Sequence, residues 1–121
     1  MNTILWVSQG FLAVLFLVHG VLYLAPPAPL RAMMEEMPFP RGLTLFVGVA
    51  EIAAAVGLIA PGLTGIAPVL VPLAAAGLVL VMAGAVVFHA RRAEVPQTVV
   101  TLLFAALAAF VVVGRSAVLP L

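Results

Sequence analysis

The side chains that could do acid–base or ligand chemistry are few in this sequence, and they lie inside long apolar segments. Glu51 interrupts one apolar run near its middle, and His19 stands five residues before Leu24, the last residue of another. Tyr23 follows His19 by one helical turn. An imidazole and a carboxyl group within mutual reach can form a general acid–base pair when their surroundings separate their pKa values. Glu51 and His19 are therefore the candidate catalytic residues.

The elements that carry these residues are four apolar segments. A helix crosses the hydrocarbon core of a bilayer with about 20 residues. Period-2 alternation, which a membrane β-barrel would require, is missing. The sequence therefore predicts an all-α, integral membrane four-helix bundle with spans at about 4–24, 42–60, 66–88 and 95–114.

Composition supports one membrane domain over residues 1–121. Hydrophobic residues make up 66% of the chain and charged residues 7%, against about 25% charged in soluble domains. No basic run is present, which argues against a nucleic-acid partner. No cysteine is present, which excludes disulfides and thiol chemistry. The first segment has no basic residues before it and is longer than a signal-peptide core, so we interpret it as a retained span.

Prolines mark the connections between the spans. Pro26, Pro27 and Pro29 must end the first span. Residues 30–37 combine methionines with charged residues, which fits either an interfacial helix on the membrane surface or an irregular loop. Pro61-Gly62 predicts a tight turn between spans two and three.

The arginines predict an orientation. Both termini and the Pro61-Gly62 turn share one side, which carries Arg115 alone, while the other side carries Arg31, Arg41, Arg91 and Arg92. The positive-inside rule then places both termini outside and the two larger loops in the cytoplasm. Arg115 is expected to extend to the outer headgroups.

Glu51 is the most informative polar residue. It lies about 13 Å into its span, near the middle of the bilayer, where an acidic group costs roughly 2.5–3.5 kcal/mol. It should therefore face the bundle interior. Gly48 shares its helical face and leaves space beside the carboxyl group. Glu51 could also be a neutral acid that only joins two helices.

Several further polar groups lie in the same half of the bundle. Antiparallel spans bring His19, Tyr23, His89 and Thr101 to similar heights, and with Glu51 and Gly48 they form the candidate ligand-binding set. Height alone permits a contact between His19 and Glu51. His89, beside two arginines, could instead be an interfacial anchor, and His19 could be an interior histidine bonded to a carbonyl. Two lone histidines are weak grounds for a haem or metal site, and no metal site is predicted.

Five sequence stretches resemble the DoxX-like family of small four-span membrane proteins. They are His19-Gly20, Phe39-Pro40-Arg41-Gly42, the stretch from Gly48 to Leu58 with Glu51 inside it, His89-Ala90-Arg91-Arg92-Ala93-Glu94, and Gly114-Arg115. The resemblance covers nearly the whole chain. It implies that Glu51 matches the acid of the family's second span, and that His89, Arg92 and Glu94 match the exit of its third span. Many relatives carry a lysine after the first-span glycine, where this chain has Leu22 and Tyr23, so an ion pair of that lysine with Glu51 does not carry over.

The resemblance also implies functions. Relatives are described as subunits of quinol-oxidising or thiosulfate-oxidising membrane complexes, or as partners in oxidative-stress complexes. One hypothesis is an accessory subunit of a redox complex in a bacterial inner membrane, which holds a quinone or lipid in its bundle and contacts other subunits. The alternative is an enzyme that uses Glu51 and His19 on a hydrophobic substrate, in an isomerisation or an epoxide opening. The sequence leaves a homo-oligomer open.

Overall fold

The computed structural model describes residues 1–121 as five α-helices joined by short loops. The helices are α1 (Asn2–Leu24), α2 (Ala28–Glu35), α3 (Arg41–Thr64), α4 (Leu70–Arg91) and α5 (Val95–Val113). A π-helical turn, Gly114–Val118, continues α5. No strand is present, so the predicted all-α class is confirmed.

Prolines start three of the helices, because their fixed φ suits a first turn and their missing N–H is not needed there. Pro27 and Pro40 are the N-cap residues of α2 and α3, and Pro96 lies in the first turn of α5. Residues 30–37 were expected to form an interfacial helix or a loop. The structure has a helix there, and it begins and ends two residues earlier, at Ala28–Glu35.

The connection between α3 and α4 differs from the predicted turn. Helix α3 continues through Pro61, so the Pro61-Gly62 turn is wrong. The helix ends instead at Gly65, whose positive φ of 72° is easily adopted only by a residue without a Cβ. Residues 65–69 form the loop, and α4 therefore begins at Leu70, four residues after the expected start of span three at 66. The tendency of a proline to end a helix is local, and at Pro61 the packing of the folded chain outweighs it.

The four long helices form a bundle in the order α1, α3, α4, α5, in which α1 packs tightly on α3 and α4 on α5. Contacts between α5 and α1 close the ring, among them Phe16 against Phe104. We call the end with the chain termini and Gly65 the termini side, and the end with α2 and the Arg92–Glu94 loop the α2 side. The main buried cluster lies mostly toward the termini side: Leu12, Ala13, Phe16, Ala54, Ala55, Leu58, Val71, Ala75, Leu78, Met82, Ala108 and Val111.

Two glycines set the distance between α1 and α3. A Cβ built on Gly20 would lie 2.7 Å from the Gly48 carbonyl oxygen, and one built on Gly48 would lie 3.0 Å from the Gly20 oxygen. Only glycine at both positions allows this backbone approach, which is how small residues bring membrane helices together. This close crossing also holds the residues next to Gly20 and Gly48 on the two helices near one another.

Four helices are long and apolar enough to cross a membrane: Asn2–Leu24, Arg41–Thr64, Leu70–Arg91 and Val95–Val118. Their outward faces carry large apolar side chains such as Phe46 and Leu80, which are 69% and 75% exposed. A water-facing surface rarely carries contiguous apolar area of this kind. The chain is an integral membrane four-helix bundle.

Candidate functional site

His19 and Glu51 form the central polar contact of the bundle. His19 Nδ1 lies 2.6 Å from Glu51 Oε2, and Glu51 is buried with 1% of its side chain exposed. His19 is adjacent to Gly20, and Glu51 follows Gly48 by three residues on the same helix. The close crossing of α1 and α3 therefore brings the imidazole and the carboxyl group within hydrogen-bond reach. The heights of the spans permitted a contact between His19 and Glu51, and the structure contains it.

Tyr23 lies one turn beyond His19 on α1, and the two rings are in contact at a tilt. Their centroids are 4.3 Å apart, with planes inclined by 38°. With His19 Nδ1 bonded to Glu51, the ring's other nitrogen, Nε2, is left free to donate or accept a proton. The arrangement places the imidazole between a carboxyl group and an aromatic ring, and the 2.6 Å contact brings the imidazole and the carboxyl group within the reach that proton transfer needs.

A cavity of about 410 Å³ lies beside this pair, in the half of the bundle toward the α2 side. It is bounded by α1, α3, α4, α5 and the segment after α2, and 13 of its 19 lining residues are hydrophobic. Phe16, Phe88 and Phe104 contribute aromatic walls, and Met37 and Phe39 line it from the segment after α2. This size and lining are typical of a site for a small apolar molecule.

Five of the six residues proposed as the ligand-binding set line this cavity: Glu51, His19, Tyr23, His89 and Thr101. Gly48 is absent from the lining, because its Cα faces Gly20 and the side chain of Leu24 at the α1–α3 crossing. The Thr101 hydroxyl donates to backbone carbonyls of its own helix, at Gln97 and Thr98. Sequence periodicity placed Gly48 on the Glu51 face, but α1 covers that part of the face.

The loop from α4 to α5 holds His89 in the cavity wall. His89 Nδ1 lies 3.0 Å from Glu94 Oε1, and Arg92 Nε lies 3.3 Å from the same oxygen. The hydrogen bond from His89, followed by the charge of Arg92, lowers the pKa of Glu94 below its ordinary value despite some desolvation. The Arg92 guanidinium also lies over the Phe88 ring, 5.2 Å from its centroid. His89 is thus both a cavity residue and part of a loop anchor.

A comparison with protein-family models identifies the family of this chain. The model described as the DoxX-like family matches residues 7–111 of the 121. The chain belongs to the DoxX-like family. No curated protein and no solved structure matches it. The matched residues include the first-span histidine, the second-span acid and the His89-to-Glu94 loop, so the site of this DoxX-like protein lies inside the family region.

A second polar cluster of the DoxX-like chain lies on the termini side, and sequence reasoning missed it. Arg115 Nε donates to Gln9 Oε1 at 2.6 Å, Arg115 Nη1 donates to Asn2 Oδ1 at 2.8 Å, and Gln9 Nε2 donates to the Leu58 carbonyl at 2.6 Å. Arg115 is 3% exposed, so the expectation that it extends to the headgroups is wrong. The π-helical turn and the stacking of the guanidinium on Trp6, 5.3 Å from the ring centroid, keep the side chain inside the bundle.

The histidines of the DoxX-like chain are already engaged by carboxyl groups through Nδ1. No three His, Cys, Asp or Glu side chains come together in a group that could hold a metal ion. His19 and His89 line one cavity, each with Nδ1 at a carboxyl group and with Nε2 as its second ring nitrogen. The donor set fits hydrogen bonding to an organic molecule better than metal coordination.

Proposed function

We propose that this DoxX-like chain is an accessory subunit of a membrane redox complex that holds a lipophilic molecule, a quinone or a lipid, in its bundle. The observation that carries the proposal is the cavity of about 410 Å³, mostly apolar, with the His19–Glu51 pair in its wall. An apolar cavity with a few converging polar groups is the usual form of a site for an organic ligand.

The lining fits a quinone in particular. A quinone has an apolar ring and chain with two carbonyl oxygens that accept hydrogen bonds. The Tyr23 hydroxyl supplies a donor beside the aromatic wall formed by Phe88 and Phe104, and His19 Nε2 supplies a second one when that nitrogen carries a proton. The protein's contribution would be to orient the quinone head and exclude water, while the bound quinone would supply the electron chemistry.

Two glycines of α4 give a matched test of ligand binding. A Cβ on Gly84 or on Gly77 meets nothing within 4 Å, so neither position opposes a larger side chain locally. Gly84 lines the cavity, while Gly77, two helical turns earlier, does not. We expect Gly84→Leu to lose the quinone or lipid that copurifies with the wild type, and Gly77→Leu to retain it. Organic extraction of the purified proteins and mass spectrometry measure both. A wild type that carries no such molecule overturns the proposal.

The accessory role has its own test. Crosslinking in native membranes, followed by purification of this chain, should recover redox-complex subunits, and the yield should be equal for Gly77→Leu and the wild type. Recovery of copies of this chain alone would indicate a homo-oligomer and contradict a role as a subunit of a larger complex.

A second candidate function is favoured by the 2.6 Å contact between His19 and Glu51. A membrane enzyme could use this pair as acid and base on a hydrophobic substrate. In an epoxide opening, one group would remove a proton from water, the water oxygen would bond to carbon, and the other group would protonate the ring oxygen as its C–O bond breaks. Isomerisation by proton transfer uses the same two groups.

Turnover tests the enzyme candidate. The wild type in detergent is incubated with lipophilic epoxides, and diol formation is followed by chromatography. Glu51→Gln keeps the size of the side chain and removes its acid–base function, so activity should fall by about 10²–10⁴-fold, the usual contribution of general acid–base catalysis. Unchanged activity in Glu51→Gln contradicts the idea.

We also propose a bacterial inner membrane location with both termini outside. All four arginines on the α2 side are exposed or at loop positions, whereas Arg115 on the termini side is buried. Because the chain has no cysteine, single cysteines report topology directly. Ser116→Cys should react with a membrane-impermeant maleimide in intact cells, and Ala93→Cys should react only after lysis. The reverse pattern contradicts the orientation.

A further inference from the structure

A second cavity of about 430 Å³ adjoins the first on the α2 side, and charged residues line it. The two cavities share Phe39 and Thr44 in their walls, so they are adjacent. The end of α1 and helix α2 supply most of the remaining wall. The full lining is Leu24, Ala25, Pro26, Arg31, Met34, Glu35, Phe39, Arg41 and Thr44.

Two arginines face this second cavity without an acidic partner. Arg41 donates to the carbonyls of Tyr23 and Leu24 at 3.0 and 3.1 Å, which satisfies the end of α1 and fixes the guanidinium in place. Arg31 donates one bond, to the Pro26 carbonyl at 3.2 Å, and most of its five N–H groups stay free. Neither forms a salt bridge, although Glu35 lines the same cavity. The lining therefore has two cationic side chains, Arg31 and Arg41, against one acidic side chain, Glu35, and carries an excess of positive charge.

The charges of the two linings indicate which part of a bound molecule would lie in each cavity. Glu51 lines the apolar cavity and no arginine does, so an anionic group there would be desolvated without an arginine to pair with it. The adjoining cavity offers guanidinium groups, the side chains best matched to phosphate and carboxylate. Phe39 and Thr44 lie at the boundary between the two environments, where one molecule would have to pass.

We propose that the natural ligand is an amphiphile with an anionic headgroup, phosphate or carboxylate, bound by Arg31 and Arg41, and with its apolar chain in the cavity beside the His19–Glu51 pair. This inference rests on the proposed function and, of the quinone and the lipid named there, selects the lipid, because a quinone has no anionic group for the arginines to bind. Charge-assisted bonds from the arginines select the head, and the apolar walls select the chain.

Three probes separate the contributions of head and chain. Dodecyl phosphate has both parts, dodecanol has the chain with a neutral head, and inorganic phosphate has the head alone. Binding to the purified protein in neutral detergent is measured by native mass spectrometry and by displacement of labelled dodecyl phosphate. We expect dodecyl phosphate to bind at least tenfold more tightly than dodecanol, and inorganic phosphate to displace it only weakly.

The matched variants are Arg31→Gln and Arg91→Gln. Both remove one arginine from an exposed position on the α2 side, but Arg91 lines neither cavity. Arg41 is left intact, because it also holds the end of α1. Arg31→Gln should weaken dodecyl phosphate about tenfold, the usual worth of a bond to a charged group, and leave dodecanol unchanged. Arg91→Gln should change neither.

Each outcome decides between the two proposals. If dodecanol and dodecyl phosphate bind equally, and Arg31→Gln changes neither, the anionic head is wrong while the lipophilic cavity stands. If inorganic phosphate competes as well as dodecyl phosphate, the arginines bind free anions and the amphiphile is wrong. If Gly84→Leu leaves the binding of both chain-bearing probes unchanged, the apolar cavity does not hold the chain, and the proposed function fails together with this inference.

Discussion

His19 Nδ1 and Glu51 Oε2 lie 2.6 Å apart and join a half-exposed imidazole on α1 to a fully buried carboxyl group on α3. His19→Leu leaves the Glu51 carboxyl group buried without this partner, and an unsatisfied buried polar group costs about 1–3 kcal/mol. We expect His19→Leu to lower the free energy of unfolding by this amount, measured by denaturant titration in detergent micelles.

Two further variants control for packing. His19→Gln keeps a hydrogen-bonding side chain and should lose less stability than His19→Leu. The double variant His19→Leu with Glu51→Leu removes both polar partners, which can be nearly neutral, so it should recover much of the loss. If the double variant loses at least as much stability as the two single variants together, the contact does not stabilise the fold as described.

The Gly20–Gly48 crossing predicts that Gly→Ala has opposite effects on stability at two positions of α1, Gly20 and Gly10. Gly20→Ala places a Cβ 2.7 Å from the Gly48 oxygen, so α1 and α3 must separate, at a cost of about 1–3 kcal/mol. Gly10→Ala meets nothing within 4 Å and should instead stabilise the helix by up to about 1 kcal/mol. Thermal unfolding of both variants in the same detergent measures the contrast. Equal shifts in Tm would mean that the helices do not approach so closely.

The buried Arg115 predicts a large effect at a position that sequence reasoning passed over. Gln9→Leu removes the acceptor of Arg115 Nε and the donor to the Leu58 carbonyl. Bonds to a charged group contribute roughly 1.5–3 kcal/mol, so the variant should lose at least that much stability. Ser8→Ala is the control, because its hydroxyl bonds only to Ile4 in the same helix. Similar unfolding curves for the two variants would contradict the network.

Glu94 predicts a pH dependence of the α4–α5 loop. Its pKa is lowered in the folded state by the His89 hydrogen bond and by Arg92, so its ionised form stabilises the loop. This contribution is present above the ordinary value of 4.5 and is lost as the pH falls below it. The protection factors of the loop amides, which are exchange rates corrected for the intrinsic pH dependence of amide exchange, should therefore fall on acidification in the wild type. Glu94→Gln should have lower protection factors at neutral pH and little change in them on acidification; a parallel response would exclude Glu94 as the cause.

The spans and the Glu51 side of the site could be predicted because each depends on local sequence. Run length indicates a membrane helix, and an acid in the middle of an apolar run must turn inward. His19, Tyr23, His89 and Thr101 were placed correctly at one level by counting residues along antiparallel helices. That counting gives heights only, so the contact of His19 with Glu51 needed the rotation of α1 against α3, which the two glycines set.

Other features could not be predicted because they depend on tertiary contacts. Arg115 looks like a headgroup anchor in the sequence, and its inward turn requires Gln9 more than 100 residues away. Pro61 looks like a helix terminator, yet the neighbouring helices keep it within α3. Arg31 and Arg41 indicate topology in the sequence, and Arg41 also belongs to a family-like stretch, but the cavity that they share depends on the path of α2.

The bundle is packed at one end and hollow at the other. The apolar cluster and the Gln9–Arg115 bonds fill the termini side, while both cavities lie toward the α2 side. A molecule bound as we propose would therefore lie nearer to the membrane face on the α2 side than to the opposite face, because the residues that line both cavities belong to that half of the bundle. Exchange of that molecule would then be sensitive to what contacts the protein on this one face.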